Sequence, residues 1–557
     1  MPLALVALLL GAVGFIWAQR VTAPAGTPQL ALLGATPTAP VAPSGIAGDY
    51  VEGEIGLPAT LNPLLASSQS ERDVGAVIFD GLTRVDGSGT VTPDLASEWS
   101  ASNDGRTYTF KLRHDARWHD GQPFSSRDVR FTVGLIQDPD FSGDASLARF
   151  WRGILVVTPD DATVVFQLRE PFAAFPSYAA LPILPQHILG GVLARDLKES
   201  AFSTSPVGTG PFKFERYDRS SHTLTLRANT AYFRQPPHLA TMSFHFYQDT
   251  DSLLDALRSS RIQGTGSLPA STVLLPGALP TTVTAYAPLL SGYTALFFNL
   301  RALPFSSLDV RRAISLAIDR ESIVNQILPN QAAPGDGPIP RASWAFSPQA
   351  TPHDPSAARQ VLDAAGWTDS NGDGVLDKGG SDLSFPLLVN GDDPQRVAVA
   401  TEIARELAAV NIRAQVQPVP SNEVAQALTG HQFTAAIFGW ESPTGDPDCY
   451  QLWHSSQADE GLNFTGLTDT TLDRLLEQGR ETSGSDKRSE IYANFQREFA
   501  AQTPAIVLYY PRFFYVVASS VHGVTAEPLV DPSGRFANVE DWFMVGAPAT
   551  PEAKATP

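Results

Sequence analysis

The stretch from Leu383 to Trp440 alternates between two hydrophobic periods, and it constrains the fold more than any other feature of the chain. Apolar runs at 383–389 and 412–419 have the length and composition of strands, and 433–440 is a third such run. Between them lie a short helix beginning at Asn422 and a longer helix with apolar positions Val399, Ile403, Leu407 and Val410. The order strand, helix, strand, helix, strand predicts a doubly wound α/β lobe with a parallel sheet.

The N-terminal half has a different pattern, rich in half-buried strands. In 107–113 apolar and polar residues alternate, which is the two-residue period of a strand with one wet face. The segment 212–226 repeats this pattern on both sides of a polar turn at Asp218 and predicts a β-hairpin. A last apolar run at 505–510 is predicted to return to this first lobe. We therefore expect two lobes joined by crossing connections, with ligands in the crevice outside the strand ends.

The 557-residue chain has a formal net charge of −19, which excludes one large class of partners. Its summed field repels phosphate backbones, so we expect no nucleic-acid binding. Cys449 is the single cysteine, which excludes an intramolecular disulfide and any cysteine-rich metal site. The sequence contains no G-x-S-x-G, H-E-x-x-H or P-loop motif, so we expect neither an enzyme nor a cofactor.

The N-terminal segment Met1–Ala18 is apolar, with no charged side chain before Arg20, and approaches the ~20 residues that span a bilayer. It predicts export, either as a signal peptide or as an N-terminal membrane anchor. Residues 19–48 are rich in Pro, Ala and Thr and predict a linker, whereas 547–557 predict a disordered tail. We expect an extracytoplasmic protein, in the periplasm or at the outer face of the cytoplasmic membrane.

Several motifs, in a fixed order, carry a resemblance to a known family. They are FDGL at Phe79, LASEW ending at Trp99, FKLRHDARWHDGQPFSSRDV at Phe110, VGTGPFKF at Val207, FFNLRALPFSSLDVRRAISLAIDR at Phe297, AAGW at Ala364 and IFGWESPTGDPD at Ile437. With this set the chain resembles bacterial solute-binding protein family 5, which holds the oligopeptide-, dipeptide- and nickel-binding components of ABC importers. The resemblance implies an α/β, type II periplasmic-binding-protein-like fold, with two lobes, a hinge and an additional N-terminal subdomain.

The resemblance also implies a domain arrangement and a function. We expect lobe I in 49–78, 205–290 and 506–546, the extra subdomain in 79–204, and lobe II in 291–505. The implied function is to capture a peptide or peptide-like solute in the cleft between the lobes and to deliver it to permease subunits in the membrane. The protein would act as a monomer, and hinge closure would let the solute select the closed form.

The ligand residues implied by the resemblance include one departure from the family pattern. Peptide-binding members carry an aspartate three residues beyond the tryptophan that corresponds to Trp440, and its charge pairs with the free amino group of the peptide. Pro443 occupies that position here, so Glu441 or Asp446 would have to replace it. Arg396 is a nearby candidate for a ligand carboxylate, and the alternative is a solvated residue at a helix end. The expected ligand-binding residues are Ser68, Ser70, Tyr293, Asn299, Trp440, Glu441 and Asp446.

Two segments have the composition of metal sites. His114 and His119 lie in RHDARWHDG, but strand alternation would put them on opposite faces, so we expect a structural role. The segment DSNGDGVLD resembles the start of a calcium loop, although Gly380 stands where a bidentate glutamate belongs. The same composition suits a plain turn, and we expect no metal. The residues of this weak calcium candidate are Asp369, Asn371, Asp373 and Asp377.

Two other functions fit the same clamp. The solute could be an oligosaccharide or a nickel chelate instead of a peptide, since the amine-binding aspartate is missing. The chain could also be a ligand-sensing receptor without import, because a fold does not decide what recognises its closed state. Neighbouring permease and ATPase genes would favour import, and a neighbouring sensor kinase would favour signalling.

Overall fold

The computed structural model describes residues 30–31 and 45–545, apart from 443, 460 and 526. Its strands are, in chain order, β1 Leu30–Ala31, β2 Asp49–Ile55, β3 Thr83–Val85, β4 Val91–Pro93, β5 Ala96–Ala101, β6 Thr107–Leu112, β7 Leu155–Asp160, β8 Thr163–Gln167, β9 Phe212–Asp218, β10 Thr223–Ala228, β11 Thr241–Tyr247, β12 Gly264–Thr265, β13 Val283–Tyr286, β14 Gly292–Phe298, β15 Ala332–Pro334, β16 Asp377–Lys378, β17 Ser381–Asp382, β18 Ser384–Asn390, β19 Arg413–Val419, β20 Ala435–Glu441, β21 Ala505–Pro511, β22 Tyr515–Ala518, β23 Val521–His522 and β24 Phe543–Met544.

The α-helices are α1 Gln69–Ile78, α2 Ser126–Gln137, α3 Ala145–Trp151, α4 Phe175–Tyr178, α5 Gln186–Leu189, α6 Thr250–Arg258, α7 Ala270–Val273, α8 Leu308–Ala317, α9 Arg320–Ser322, α10 Pro355–Ala364, α11 Pro394–Ala408, α12 Ser421–Thr429, α13 Tyr450–Trp453, α14 Thr470–Glu481 and α15 Ser485–Gln502. In this part of the chain, no helix combines the length and the apolar character needed to cross a membrane. The predicted anchor at Met1–Ala18 and the predicted tail at 547–557 lie outside the described residues.

The first lobe is built on an eight-stranded sheet with the order β1-β13-β22-β12-β2-β11-β10-β9. Within it, β2 and β11 run parallel from the pair Asp49 and Thr241 to the pair Ile55 and Tyr247. The predicted hairpin at 212–226 is confirmed as the antiparallel pair β9 and β10. Its inward residues join a large apolar core, because alternate side chains of a strand point to the same face.

A cluster of buried charges lies in the first lobe, between β2, α1 and the 3₁₀ turn Pro532–Phe536. The Arg535 guanidinium, which is 2% exposed, lies 2.9 Å from Glu52, 2.8 Å from Glu54 and 2.7 Å from Asp73. Burial and the neighbouring Asp73 raise the pKa of Glu54 well above its ordinary value. At Asp73 burial also raises the pKa, but Arg535 offsets it and the net shift is downward. One buried cation thus joins three segments that are distant in the sequence.

We use the name small subdomain for residues 79–204. It contains a four-stranded antiparallel sheet with the order β5-β6-β8-β7. The strand predicted at 107–113 is its β6. The Phe110 ring on β6 packs edge-on against Phe166 at a centroid distance of 5.5 Å, and Phe175 of α4 packs against both rings. Helix α2 covers β7 and β8. The small subdomain therefore has its own aromatic core.

The second lobe is built on a six-stranded sheet with the order β15-β21-β14-β20-β18-β19. The parallel strands β18, β19 and β20 are connected by α11 and α12, which confirms the predicted doubly wound arrangement. The prediction that 505–510 returns to the first lobe was wrong, because β21 pairs with β14 and β15 here. Its uninterrupted apolar side chains are buried on both faces of this sheet. The strand that does return to the first lobe is β22.

Three chain segments form a hydrogen-bonded ribbon where the two lobes join. Leu290 N–H donates to Pro511 O at 2.9 Å, and Phe513 N–H donates to Pro288 O at 2.9 Å. Ser291 N–H donates to Leu529 O at 2.8 Å, which adds the third segment. We call 288–291, 511–513 and 529 the hinge ribbon, since β13 and β22 lie on one side of it and β14 and β21 on the other.

Candidate functional site

The carboxyl ends of β18 and β20 mark the place in the second lobe where the topology predicts a ligand crevice. The two strands are parallel neighbours, but their following segments leave on opposite faces of the sheet. Helix α11 follows β18 and packs in the core on one face, whereas the loop after β20 leads to α13 in the core on the other. Such a topological switch point is where open α/β sheets usually bind ligands. The sequence-predicted residues Trp440, Glu441 and Tyr293 lie here.

Tyr293 and Trp440 form a cross-strand pair at this crevice. They are directly opposite in the β14–β20 register, with ring centroids 5.4 Å apart. Tyr293 is 1% exposed, and burial raises the pKa of its hydroxyl well above the ordinary value, so it stays neutral. Trp440 is partly exposed. Of the two rings, Trp440 is therefore the one that can reach a solute.

Asp446 is already occupied by a partner within the protein. Its carboxylate accepts two hydrogen bonds from the Arg488 guanidinium, at 2.6 and 2.9 Å, and both side chains are buried. Its Oδ1 also accepts a hydrogen bond from Asp448 N–H at 3.0 Å. A solute ammonium would have to break a desolvated, bidentate ion pair to reach it. Asp446 is thus a poor substitute for the missing family aspartate.

Glu441, by contrast, is the exposed last residue of β20, and among the described residues no cation forms an ion pair with it. By strand alternation it shares a face with Gly439. A Cβ at Gly439 would lie 2.9 Å from Arg396 Nη2, so the glycine leaves room for the Arg396 side chain, which comes from the first turn of α11. Arg396 also lies 3.2 Å from Asp393. The anionic side chain of Glu441 and the cationic side chain of Arg396 therefore both lie near the carboxyl end of β20.

Three predicted residues are not brought to this crevice. Asn299 follows the opposite end of β14, ~20 Å along the strand at ~3.3 Å per residue, and its amide donates to His431 O and Phe433 O. Ser68 is the N-cap of α1, in a capping box with Glu71. Ser70 is buried, and its hydroxyl lies 3.2 Å from that of Ser68. The polar groups of all three are used in structural hydrogen bonds.

The small subdomain and the second lobe contact each other across the cleft. Ala173 N–H donates to Arg480 O at 2.7 Å, and Trp344 N–H donates to Ser88 O at 3.0 Å. The Arg480 guanidinium lies 3.9 Å from the Tyr450 ring centroid and 5.2 Å from that of Phe172, and pairs with Asp448 at 2.8 Å. The small subdomain and the second lobe are therefore in direct contact.

A cavity of about 340 Å³ lies between the small subdomain and the second lobe. The small subdomain side is lined by Gly89, Thr90, Val91, Trp99, Ala173, Ala174, Pro176 and Ser177, and the second-lobe side by Trp344, Asp446, Gly484, Ser485 and Arg488. Trp344, Arg480 and Arg488 were not predicted from the sequence. They lie outside the family motifs, and no spacing pattern links Arg488 to an aspartate 42 residues away.

The two segments with metal-like composition are used as scaffold. Gly208 N–H donates to His119 Nδ1, and His119 Nε2 lies 3.0 Å from Gly210 O. Loss of water lowers the pKa of His119 to about 4, so the ring is neutral near pH 7. In the calcium candidate, Asp369 accepts backbone N–H groups of its own turn, from Gly372 and Gly374. Within the described ranges, no group of three or more His, Cys, Asp or Glu side chains is placed to hold a metal ion.

Comparisons with known proteins agree with this geometry. The model of the bacterial extracellular solute-binding proteins, family 5, matches residues 90–461. A Brucella ovis protein named as an ABC transporter peptide-binding protein is 33% identical over 522 residues, which cover 90% of this chain and 94% of the relative. The oligopeptide-binding protein AppA of Bacillus subtilis is 28% identical over 506 residues, or 89% of this chain and 92% of the relative.

Solved structures show the same fold. AppA of Bacillus subtilis in complex with a nonapeptide is 28% identical, with a TM-score of 0.67, covering 90% of this chain and 100% of that chain. NikZ of Campylobacter jejuni in complex with Ni(L-His) is 27% identical, with a TM-score of 0.69, covering 89% and 99%. The expected periplasmic-binding-protein-like fold is thus confirmed. The family model covers well over half of the chain, and the protein belongs to the bacterial extracellular solute-binding proteins, family 5.

Proposed function

We propose that the protein is the extracytoplasmic substrate-binding component of an ABC transporter and that it captures a peptide or peptide-like solute between its lobes. The observation that carries this proposal is the cavity between the small subdomain and the second lobe, which residues of both parts line. The relatives named as oligopeptide- and peptide-binding proteins support the choice of solute. The predicted division into lobe I, lobe II and an extra subdomain belongs to this proposal.

Recognition of the solute amine is assigned to Glu441 in this proposal. It replaces the aspartate missing at Pro443, because Asp446 is held by Arg488 whereas Glu441 is exposed and lies at the crevice. Arg396, on the same face of β20, would receive a solute carboxylate. By the same strand alternation Trp440 points to the opposite face of β20, so it is not assigned a contact between these two charged groups.

The remaining steps follow from the family. The solute favours the closed form by binding it more tightly than the open form. The closed, monomeric protein is then recognised by permease subunits, which need it at the outer face of the membrane. The apolar segment Met1–Ala18 would provide export or an anchor there. No chemical step is required of the protein.

The test is isothermal titration of the full-length protein with a peptide library and with N-acetylated copies of the peptides that bind. Glu441→Gln should weaken binding of free-amine peptides about 10- to 100-fold, because a hydrogen bond to a charged group contributes about 1.5–3 kcal/mol. Glu490→Gln, at an exposed position of α15, is the matched control and should leave affinity unchanged. Equal affinities of wild type and Glu441→Gln for a free-amine peptide would refute the role of Glu441.

A non-peptide solute is the second candidate, and one observation favours it. The acid that peptide-binding members use is absent, and the next acid along the loop is neutralised by Arg488. NikZ, of similar fold, is described in complex with Ni(L-His). Heat released with nickel–histidine chelates or oligosaccharides, and none with peptides, would establish this alternative and leave the clamp function in place.

A further inference from the structure

The inter-lobe cavity of about 340 Å³ has a floor without net charge. The Arg488 guanidinium and the Asp446 carboxylate are bidentately paired. The other Arg488 hydrogen bonds go to Gly479 O at 2.9 Å and to the Tyr492 hydroxyl at 3.2 Å. Both charges are thus satisfied inside the protein. A charged solute group would have to displace one partner of this buried pair, which is costly.

The walls of the cavity combine two aromatic rings and aliphatic surface with the hydroxyl side chains of Thr90, Ser177 and Ser485. Trp99 of β5 is stacked on Phe110 at a centroid distance of 6.1 Å, which holds its ring in place. On the opposite wall Trp344 lies edge-on to Tyr492 at 6.3 Å, and the Arg488 guanidinium lies 5.3 Å from the Trp344 ring. Val91 and Pro176 add aliphatic surface. Rings fixed in this way suit a flat, uncharged group, because aromatic surfaces pack well against each other.

We propose that this cavity is a specificity pocket for one uncharged aromatic side chain of the captured solute. The proposal rests on the proposed function and deepens it by naming the class of group that the clamp selects. A volume of about 340 Å³ lies within the range of ligand pockets, so the cavity has room for an aromatic side chain. Because both lobes contribute walls, a group bound there stabilises the closed form and not the open one.

The experiment compares tripeptides by isothermal titration with the full-length protein. Tri-alanine is the reference, and tryptophan, lysine or glutamate replaces one alanine at each position in turn. We expect one tryptophan peptide to bind at least 10-fold more tightly than tri-alanine, whereas the lysine and glutamate peptides do not. Ser485→Trp, at an exposed position on the cavity wall, fills the pocket and should bring the tryptophan-to-alanine affinity ratio to within about threefold of one.

Ser483→Trp is the matched control, since Ser483 is exposed two residues away and does not line the cavity. It should keep the preference for tryptophan. A preference for lysine or glutamate, or a tryptophan preference that survives Ser485→Trp, would overturn the pocket.

Failure of the proposed function has a separate signature, which is that no tripeptide binds the wild type. In that case N-acetyltryptophanamide is the probe, observed by saturation-transfer NMR. A signal that is lost in Ser485→Trp and kept in Ser483→Trp supports the pocket without the peptide function. The absence of a signal with the wild type overturns it.

Discussion

Two buried arginines occupy different kinds of surroundings in this molecule. Arg535, inside the first lobe, faces the three carboxylates of Glu52, Glu54 and Asp73. Arg488, between the lobes, faces the single carboxylate of Asp446 and borders a cavity. The first cluster has an excess of acid and is fully enclosed. The second is balanced in charge and lies beside space that a solute can fill.

This difference shows that burial of charge does not by itself identify a binding site. The Arg535 guanidinium joins three chain segments and uses its N–H groups in hydrogen bonds within the protein. A neutral ion pair at the edge of a cavity determines which solute groups the cavity can bind. It disfavours charged groups and allows apolar ones. The space beside a buried ion pair and its charge balance therefore indicate a binding site better than the mere presence of the pair.

The largest effect is expected from Arg535→Met. It leaves three buried carboxylates without their cation, and the free energy of unfolding should fall by about 3–5 kcal/mol or more. The measurement is urea unfolding followed by circular dichroism. Arg72→Met, which removes an exposed guanidinium paired with Asp531, is the control and should cost less than about 1 kcal/mol. Similar losses for the two variants would contradict the structural role of the cluster.

A smaller loss is expected from Arg488→Met, because only one carboxylate is stranded and the adjacent cavity can admit water. We expect the lower end of about 3–5 kcal/mol. The double variant Arg488→Met with Asp446→Asn should recover part of this loss, since no unpaired charge is left. Urea unfolding of the single and double variants measures both. If Asp446→Asn worsens the loss, the pair is not the balanced unit described above.

Glu54→Gln tests the excess of acid around Arg535. The pKa of Glu54 in the folded protein is raised, so its bound proton stabilises the fold at low pH, and this stabilisation is lost as pH rises above the unfolded value of 4.5. Replacing the Glu54 carboxyl should raise the urea concentration at the midpoint of unfolding at pH 8.5, relative to wild type. At pH 4 the midpoint should be nearly unchanged. An exposed control, Glu199→Gln, should follow wild type at both pH values. A variant less stable than wild type at pH 8.5 would refute the excess.

The smallest effect is expected from Arg480→Lys, at the contact between the small subdomain and the second lobe. Lysine keeps the charge near Asp448 but loses the flat contact with Tyr450 and Phe172, so stability should fall by less than about 2 kcal/mol. The closed form should also lose population. Small-angle X-ray scattering should then show a larger radius of gyration than for wild type, and an unchanged radius would show that this contact does not hold the lobes together.

The second-lobe fold could be predicted from sequence because its signals are local. The strand and helix periods between Leu383 and Trp440 each need only a short window of residues. The position of β21 could not be predicted in this way. An apolar run buried on both faces fits the centre of either sheet, and the choice depends on pairing with β14, about 200 residues earlier.

The ligand-binding role of Trp440 and Tyr293 stays a prediction. The contact between their rings follows from the register of two paired strands and was not predicted from the motifs around them. Asn299 was predicted with them as a ligand-binding residue, but it follows the far end of the seven-residue strand that begins next to Tyr293. The bond between Asp446 and Arg488 joins a loop to a helix from another part of the lobe. Only the folded chain brings such partners together.

The hinge ribbon has a mechanical consequence. Two crossing segments are held together by hydrogen bonds, and a third segment is bonded to them at Leu529. Together they act as one flat hinge and not as independent linkers. Such a hinge bends easily about one axis and resists twisting and sliding of one lobe relative to the other. The lobes should therefore open and close along the same path. The residues on the two sides of the cavity should then face each other in the same way each time the lobes close.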